Sequence, residues 1–402
     1  MNRISKAVFL LVFLLSATIT YSKSPVEEYS ADKDFSEIDE IISGGIINGA
    51  FPGAQVLIGN EREILYSKSF GNFTYDENSP VVNDRTMYDI ASLTKVIATT
   101  SAIMKLYDER KFNLSDKVSS YIPEFGSNGK EDITILNLLI HNSGLTAFVP
   151  FYKTYTNSSE VLEAIYGAEL VYPTGTNFIY SDLNAVVLGK LVEILSGQNL
   201  NQYCIDNIFL PLDMQHTMFV PEDNMKNQIA PTENDTYWRG RLLQGEVHDE
   251  TTAMLNGISG NAGLFSNATD IYKLVQLLLN NGKYYNPYSR GLKEERMFDE
   301  FTVELFTKKY TDVSYENSRA LGWDTKPLES STKYRIPCGE LISENCFGHT
   351  GYTGTSVWCD RERKIIVILL TNRVYPSRSN YGIRDIRPEI HNAAIEIAAK
   401  QN

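Results

Sequence analysis

The sequence predicts an α+β fold: an antiparallel β-sheet flanked by helices, with an inserted, mostly helical domain. Strand-like runs lie near both ends of the chain, helical apolar spacing dominates between them, and a final helix closes the chain. With 402 residues, 43% apolar and 22% charged, the composition is that of a globular protein with a large core. We expect a signal peptide at 1–22, a sheet domain at 23–88 and 231–402, and a helical domain at 89–230.

The N-terminal residues have the pattern of a secretory signal peptide. Residues 1–6 include two basic side chains, Ala7–Leu15 is unbroken apolar sequence, and small residues occur at alternate positions up to Ser22. The alternative is a membrane anchor, but the apolar run falls short of the roughly 20 residues that span a bilayer. No cysteine follows the run to carry a lipid anchor. The sequence therefore predicts an exported protein, periplasmic or secreted, with no stable membrane anchor after cleavage.

The first elements after this segment are a helix and a hairpin. Phe35–Ile47 has helical apolar spacing and ends before a Phe-Pro-Gly turn. Two strand-like runs follow, Gln55–Gly59 and Glu63–Phe70, and the three polar residues between them indicate a β-hairpin.

The middle of the chain is helical and its end is mixed. Apolar residues recur at helical spacing within 96–107, 133–141, 159–168 and 183–196. Beyond residue 230 the predicted elements are a helix at Ile271–Leu279, buried strands at Thr355–Cys359 and Lys364–Thr371, and a helix at Pro388–Ala399 with Pro388 in its first turn.

Charge and cysteine content exclude several classes of function. The net charge is −13 and there is no basic run, which argues against nucleic-acid binding. The five histidines are scattered and no Cys-x-x-Cys pair occurs, so we do not expect a zinc site. The four cysteines, of which Cys338 and Cys346 are close in sequence, allow a disulfide across that short loop. Free buried thiols are the alternative.

The first candidate catalytic motif is Ser92-x-x-Lys95 at the start of a predicted helix. Residues three apart on a helix lie on one face, so the hydroxyl and the amine can meet. A lysine that is desolvated at a helix N-terminus can lose its proton and activate the serine as a nucleophile. The alternative is a helix-capping serine and a solvated lysine.

Two later segments supply further polar groups. Tyr180-Ser181-Asp182 precedes the helical run 183–196, where the tyrosine could carry a proton if cations lie nearby. His349-Thr350-Gly351-Tyr352 opens a predicted strand, and its glycine would let a substrate backbone approach the strand edge. Taken singly, either segment could be purely structural.

In this order, the three motifs resemble those of the serine β-lactamase and penicillin-binding protein superfamily. The chain is most similar to its class C-type branch, which holds D-alanyl-D-alanine carboxypeptidases, D-amino-acid peptidases, esterases and class C β-lactamases. The likeness extends over about residues 35–400. Four further segments match that branch: Phe51–Ala54, Leu138–Leu145, Gly245–Glu250 and Gly260–Ser266.

The resemblance implies the β-lactamase/transpeptidase-like fold and acyl transfer without a cofactor. Ser92 would attack a carbonyl while Lys95 and Tyr180 move its proton to the leaving group. The backbone N–H groups of Ser92 and Tyr352 would form an oxyanion hole, in which a single donor is worth about 3 kcal/mol in other enzymes. Asp182 and the segment from His349 to Tyr352 would contact the substrate. Water would then release the acyl group.

Two positions depart from the class C pattern. Asp182 stands where asparagine is usual, and because a carboxylate only accepts hydrogen bonds, it suits a substrate N–H or a lysine. His349 replaces the lysine of the third motif, which weakens the positive charge available to a substrate carboxylate. Both departures argue against efficient β-lactam hydrolysis and not against acyl transfer.

The sequence therefore predicts an exported serine hydrolase, a DD-carboxypeptidase-type enzyme acting on D-alanyl cell-wall peptides. The alternative is an esterase or D-amino-acid amidase with the same site, and a β-lactamase or a silent penicillin-binding protein is less well supported. The substrate would be a small molecule or a peptide. His248–Glu250 could line the site or hold a loop, and Trp238–Arg241 could be a cationic patch or a solvated loop.

Overall fold

The computed structural model describes residues 34–288, 293–315, 317–328 and 336–399. The ten α-helices of the described part are α1 Ser36–Ile47, α2 Ser101–Asp108, α3 Ile135–Leu139, α4 Ser158–Tyr166, α5 Asp182–Ser196, α6 Leu200–Cys204, α7 Glu250–Met254, α8 Ala268–Leu279, α9 Glu300–Thr307 and α10 Ile383–Ala399. Its strands are β1 Gly53–Gly59, β2 Ile64–Gly71, β3 Tyr88–Asp89, β4 Met218–Phe219, β5 Glu233–Asp235, β6 Arg241–Leu243, β7 Leu264–Ser266, β8 Lys283–Tyr285, β9 Glu294–Arg296, β10 Cys346–Thr350, β11 Ser356–Asp360 and β12 Ile365–Thr371.

The main sheet has five strands in the order β10-β11-β12-β1-β2, and every neighbouring pair is antiparallel. The two ends of the chain thus meet in one sheet, because β1 pairs with β12. Leu57 and Ile368 face a core that includes α8, whereas Val56 and Leu369 face α1 and α10. Both faces of the central strands are therefore covered, which is why these strands are apolar throughout.

The segment between β2 and β7 contributes α2 to α7, whose apolar faces share one core with the sheet and α8. A second, three-stranded sheet has the order β3-β7-β4. Since β3 immediately precedes Ser92, this small sheet fixes where the chain enters the candidate site. The division into a sheet domain and a helical domain remains a prediction.

The α+β fold class is confirmed, and the predicted elements correspond to observed ones with shifts of a few residues. The closing helix is the exception, because α10 begins at Ile383 and not at Pro388, which lies inside it. The residues before Pro388 are therefore already helical. The predicted signal peptide, residues 1–22, lies outside the described residues.

All four cysteines are buried free thiols, the second of the two alternatives drawn from the sequence. Cys338 and Cys346 lie in one small apolar cluster with Trp358, without a bond between them. Among the described residues, no helix combines the length and the apolarity needed to cross a membrane.

Candidate active site

Ser92 lies in a short 3₁₀ turn, Ala91–Leu93, that follows β3 and leads into the helical residues Lys95–Asp108. Ala91 has φ +46°, a backbone conformation that is uncommon and strained for residues other than glycine. The buried Asp89 carboxylate accepts a hydrogen bond from the Ala91 N–H at 2.8 Å and holds this turn. The turn presents Ser92 to a cavity.

Lys95 is nearly fully buried and its ammonium group has three acceptors. Nζ lies 3.1 Å from the Ser92 hydroxyl oxygen, 2.9 Å from the carbonyl oxygen of Asn261 and 2.7 Å from the Asp182 carboxylate. An ammonium group has three protons to donate, so all of them can be satisfied here. The sequence did not single out Asn261, although it lies in one of the matched segments, because only its backbone takes part.

The expectation that burial would leave Lys95 neutral is wrong. Burial does disfavour its charge, but the Asp182 carboxylate and, to a lesser extent, Tyr180 outweigh that effect and raise the pKa of Lys95 above its ordinary value. The sequence suggested that Asp182 could bind either a substrate N–H or a lysine, and in the structure it binds Lys95. These neighbours therefore favour the charged form of Lys95.

The Tyr180 ring lies beside two cations. Lys95 Nζ is 5.1 Å from the ring centroid and the Arg319 guanidinium carbon is 5.7 Å from it. Its buried hydroxyl makes no well-aligned hydrogen bond within the part of the chain that the structure describes. A buried tyrosine oxygen beside two positive charges is suited to receive and return a proton.

The buried carboxylate of Asp249 lies close enough to Asp182 to interact with it electrostatically. Asp249 accepts hydrogen bonds from the Thr252 N–H and the Asn261 side chain, and burial together with the nearby Asp182 raises its pKa. Asp249 thus connects the loop before α7 with the residue whose carbonyl binds Lys95. Of the two interpretations of residues 248–250, the one in which they hold a loop fits these contacts.

The third motif lies at the end of β10. His349 is 2% exposed, and burial, reinforced by the nearby Arg319 and Lys95, lowers its pKa well below the ordinary value. His349 is therefore neutral at pH 7 and does not replace the lysine charge. Its Nδ1 lies 2.8 Å from the Thr350 carbonyl oxygen.

The turn after β10 is bonded directly to the segment before Ser92. The Thr353 hydroxyl donates to the Asp89 carbonyl at 2.7 Å, and the Thr355 hydroxyl donates to the Ile90 carbonyl at 3.1 Å. Gly351 lies in the same contact, and a Cβ there would come within 2.5 Å of the Ile90 carbonyl oxygen. These bonds fix the strand edge relative to the nucleophile.

Ser92 opens into a cavity of about 480 Å³, here called the arginine cavity. Its lining includes Tyr180, the third-motif residues and four arginines that the sequence did not indicate. The lining residues are Ser92, Phe178, Tyr180, Ser318, Arg319, Asp324, Pro327, His349, Thr350, Gly351, Tyr352, Arg373, Tyr381, Ile383, Arg384 and Arg387. The arginines come from three distant segments, and no local sequence pattern marks them.

Tyr352 is held between two side chains at the rim of the cavity. Its ring stacks on His248 at 5.6 Å, and Arg373 lies 4.4 Å over it while donating to its carbonyl oxygen at 2.7 Å. His248 in turn bonds to Glu233, which Arg378 also binds. Although burial opposes it, hydrogen bonds from His248 and Arg378 lower the pKa of Glu233 to about 2.

Arg239 is neither a solvated nor a free cationic group. It is nearly buried, pairs with Asp235 and donates to the carbonyl oxygens of Val247 and His248. Its role is therefore to join two loops.

The structure brings all the predicted site residues together around one cavity or its floor. The cavity is lined by Ser92, Tyr180 and the residues from His349 to Tyr352. Asp182 binds Lys95, which in turn contacts Ser92. Within the described residues, no three His, Cys, Asp or Glu side chains form a group that could hold a metal ion.

Comparisons with known proteins agree with this geometry. The family model described as Beta-lactamase matches residues 36–388. The N-acetylmuramyl-L-alanine amidase of Bacillus subtilis (strain 168) is 34% identical, over 85% of this chain and 81% of its own. A protein of Escherichia coli (strain K12) named "Putative D-alanyl-D-alanine carboxypeptidase" is 31% identical, over 91% of this chain and 90% of its own.

Solved structures show the same fold at lower sequence identity. A penicillin-binding protein homologue from Caulobacter crescentus matches with a TM-score of 0.70 and 16% identity, covering 90% of this chain and 97% of its own. The hydrolase EstCE1 matches with a TM-score of 0.69 and 20% identity, covering 90% and 98%.

Proposed function

Since the chain belongs to the beta-lactamase family and is a serine hydrolase of that fold, we propose that it cleaves amide bonds of cell-wall peptides through an acyl-enzyme on Ser92. The observation that carries this proposal is the contact of Ser92 with a buried, charged Lys95 at the floor of the arginine cavity. If Ser92 were a surface serine and Lys95 a solvated lysine, the Lys95 side chain would not be buried and its ammonium group would not be bonded to Ser92, Asn261 and Asp182.

In the proposed mechanism, Tyr180 reacts as a phenolate beside Lys95 and Arg319 and takes the hydroxyl proton of Ser92 as the Ser92 oxygen attacks the substrate carbonyl. Lys95 remains charged, orients the Ser92 oxygen and favours negative charge on Tyr180. The N–H groups of Ser92 and Tyr352 would stabilise the oxyanion, and Tyr180 would return the proton to the leaving nitrogen. Attack of water on the Ser92 ester would then release the acid and restore the hydroxyl.

For the substrate, the first candidate is a peptide that ends in D-alanyl-D-alanine. The name of the Escherichia coli relative supports a DD-carboxypeptidase, and arginines beside Ser92 suit a substrate carboxylate. Export, proposed from the N-terminal sequence, would bring the enzyme to the cell wall.

The second candidate is an amidase that cleaves a sugar-linked peptide. The name of the Bacillus subtilis relative, 34% identical, favours it. Both candidates use the same nucleophile and differ in what lies on the two sides of the scissile amide bond. An esterase with this site remains the alternative outside cell-wall chemistry.

The decisive experiment measures release of free D-alanine from a peptide ending in D-alanyl-D-alanine, together with hydrolysis of a p-nitrophenyl ester. Ser92→Ala should reduce both activities by at least about a thousandfold, because the nucleophile is lost, and should leave thermal stability nearly unchanged. Ser120→Ala, at an exposed serine away from the site, is the matched control and should retain full activity.

Each outcome has a clear meaning. Ser92-dependent release of D-alanine would establish the carboxypeptidase. Ester hydrolysis without D-alanine release would favour the amidase or esterase. Activity that persists in Ser92→Ala would refute Ser92 as the nucleophile.

A further inference from the structure

The loop that follows α3 belongs to a segment shared with the class C-type branch, and the proposed mechanism does not use it. Residues 141–145 of this loop are all buried, although three of them, His141, Asn142 and Ser143, are polar. Loops usually lie at the surface, because buried polar groups need hydrogen-bond partners. The partners of this loop lie largely in the segment that contains Tyr180.

The backbone of the loop binds the chain on both sides of Tyr180. The Ile179 N–H donates to the His141 carbonyl oxygen at 3.1 Å, and the Asp182 N–H donates to the Ala147 carbonyl oxygen at 3.0 Å. Tyr180 is therefore flanked by two residues whose backbone N–H groups are bound to this loop.

The side chain of His141 adds a contact between these two. Its Nδ1 atom lies 3.1 Å from the nitrogen of the peptide bond that joins Tyr180 to Ser181. A backbone N–H only donates, so Nδ1 accepts and the single ring proton of a neutral His141 is on Nε2. The two rings also lie side by side, with 4.8 Å between the centroids of His141 and Tyr180. Both the ring of Tyr180 and the peptide bond after it therefore contact one histidine.

A chain of hydrogen bonds brings a second donor to the same atom of His141. The Leu145 N–H donates to the Ser143 hydroxyl oxygen at 3.2 Å, and the Ser143 hydroxyl donates to Asn184 Oδ1 at 2.6 Å. Since Oδ1 accepts there, the Asn184 amide nitrogen is the atom that faces His141 Nδ1, at 3.1 Å, and it donates. Each group in the chain has one possible role, so the chain fixes the orientation of the amide and of the histidine ring.

His141 acts in this way only as an uncharged ring. Burial, reinforced by Arg319, Lys95 and His349, lowers its pKa well below the ordinary value. A neutral acceptor suits this position, because a carboxylate beside Tyr180 would oppose the negative charge on the phenolate oxygen. The histidine therefore supplies an acceptor without adding charge next to Tyr180.

The backbone of His141 is strained as well. Its φ is +58°, a conformation that is uncommon for residues other than glycine, asparagine and aspartate. Strain of this kind persists where the surrounding structure fixes it, and it is concentrated at functional sites.

We propose that His141 is a positioning residue that holds Tyr180 where its oxygen takes the proton of Ser92. It acts through its contact with the ring of Tyr180 and with the peptide bond that follows, and Ser143 and Asn184 orient it. His141 does not line the arginine cavity, so its effect on the reaction is indirect. This inference rests on the proposed function, because that function gives Tyr180 its part in proton transfer.

The test measures kcat/KM for hydrolysis of a p-nitrophenyl ester, which reports acylation, the step in which Tyr180 takes the proton. His141→Leu removes the acceptor and should lower kcat/KM by about 10- to 100-fold, because a misplacement of about 1 Å can cost that much. His391→Leu is the matched control, since His391 is also a buried histidine, bonded to Ser356. Its kcat/KM should stay within about twofold of the wild type.

A double-mutant cycle with Tyr180→Phe separates positioning from a general loss of structure. Tyr180→Phe removes the proton carrier and should itself lower kcat/KM by at least about a hundredfold. If His141 acts through Tyr180, adding His141→Leu to Tyr180→Phe should lower kcat/KM by less than about threefold further. A purely structural effect would instead multiply the two losses.

Two milder variants give independent readouts. His141→Asn keeps an acceptor on a side chain that tolerates positive φ, and it should retain at least about threefold more kcat/KM than His141→Leu. Ser143→Ala leaves residue 141 in place and removes the hydroxyl that orients Asn184. It should fold by circular dichroism and lower kcat/KM by about three- to tenfold, which keeps the test decisive if His141→Leu does not fold.

Any of four results would overturn the inference: equal kcat/KM in His141→Leu and His391→Leu, losses that multiply in the double variant, no advantage of His141→Asn over His141→Leu, or full activity of Ser143→Ala. Failure of the proposed function is seen separately, as ester hydrolysis that does not depend on Ser92.

Discussion

Lys95 is a buried lysine whose charge depends on one neighbour. It is 3% exposed, and burial alone would favour the neutral amine. The Asp182 carboxylate at 2.7 Å reverses this preference. A lysine in this state is a poor general base but a good electrostatic partner for Ser92 and Tyr180. The aspartate that departs from the class C pattern therefore favours the charged form of the lysine in the first motif.

Replacing Asp182 tests this assignment. Asp182→Asn should lower the pKa of Lys95, because burial then acts without the carboxylate that opposes it. Lys95 would lose its proton at lower pH, so the alkaline limb of the ester-hydrolysis profile should lie at lower pH in the variant than in the wild type. Asp132→Asn, at an exposed carboxylate paired with Lys117, is the control. An unshifted alkaline limb in Asp182→Asn would contradict the role given to this residue.

The connection between β10 and the nucleophile turn is the critical element contact. Two threonine hydroxyls bind the backbone of residues 89 and 90, and Gly351 packs against the same backbone without room for a side chain. Because Ser92 and Tyr352 lie on opposite sides of this contact, their relative position depends on it.

Gly351→Ala should disturb this contact. A Cβ would lie 2.0 Å from the Thr355 hydroxyl oxygen and 2.5 Å from the Ile90 carbonyl oxygen, so the strand end must shift. We expect a loss of about 1–3 kcal/mol in unfolding free energy and a fall in kcat larger than that stability change explains. Gly44→Ala in α1, where a Cβ meets nothing within 4 Å, should instead stabilise by about 0.5–1 kcal/mol. Unchanged kcat in Gly351→Ala would refute the positioning role.

Three buried histidines link the stability of the whole molecule to pH. Burial lowers the pKa of His141 and His349 well below the ordinary value and that of His391 to about 3. His141 Nδ1 accepts the Ser181 N–H at 3.1 Å, a bond that only the neutral ring can make. In the unfolded chain all three would take up protons below about pH 6.5, so acid favours unfolding.

Urea unfolding at pH 7, 6 and 5 checks this expectation. In the folded state the three pKa values are depressed, so stability is full above about pH 6.5 and is lost as the pH falls. Between pH 6 and pH 5 the slope should be positive and at most about 4 kcal/mol per pH unit, the effect of three protons, because the raised pKa of Asp249 acts in the opposite direction. His391→Gln should remove about one third of the slope. Stability independent of pH in this window would contradict the burial of neutral histidines.

Charge is distributed unevenly over the molecule. The overall net charge is −13, yet four arginines and one carboxylate line the arginine cavity. Composition reports only the sum of the charges, from which we expected an acidic protein that does not bind nucleic acid. The position of the arginines in space is a property of the tertiary structure.

The sequence by itself determined the fold class and most helices and strands, and it supplied the three candidate catalytic motifs, because periodicity and motif spacing are local properties of the chain. It also predicted that His349 weakens the positive charge that a lysine would supply at that position. The tertiary structure decided the charge of Lys95, which depends on a carboxylate 87 residues away in the chain. It likewise decided the arginine cavity, because Arg319, Arg373, Arg384 and Arg387 converge only when β10, β12 and α10 pack together. Electrostatic interactions depend on distance and burial, and neither can be read from separation along the chain.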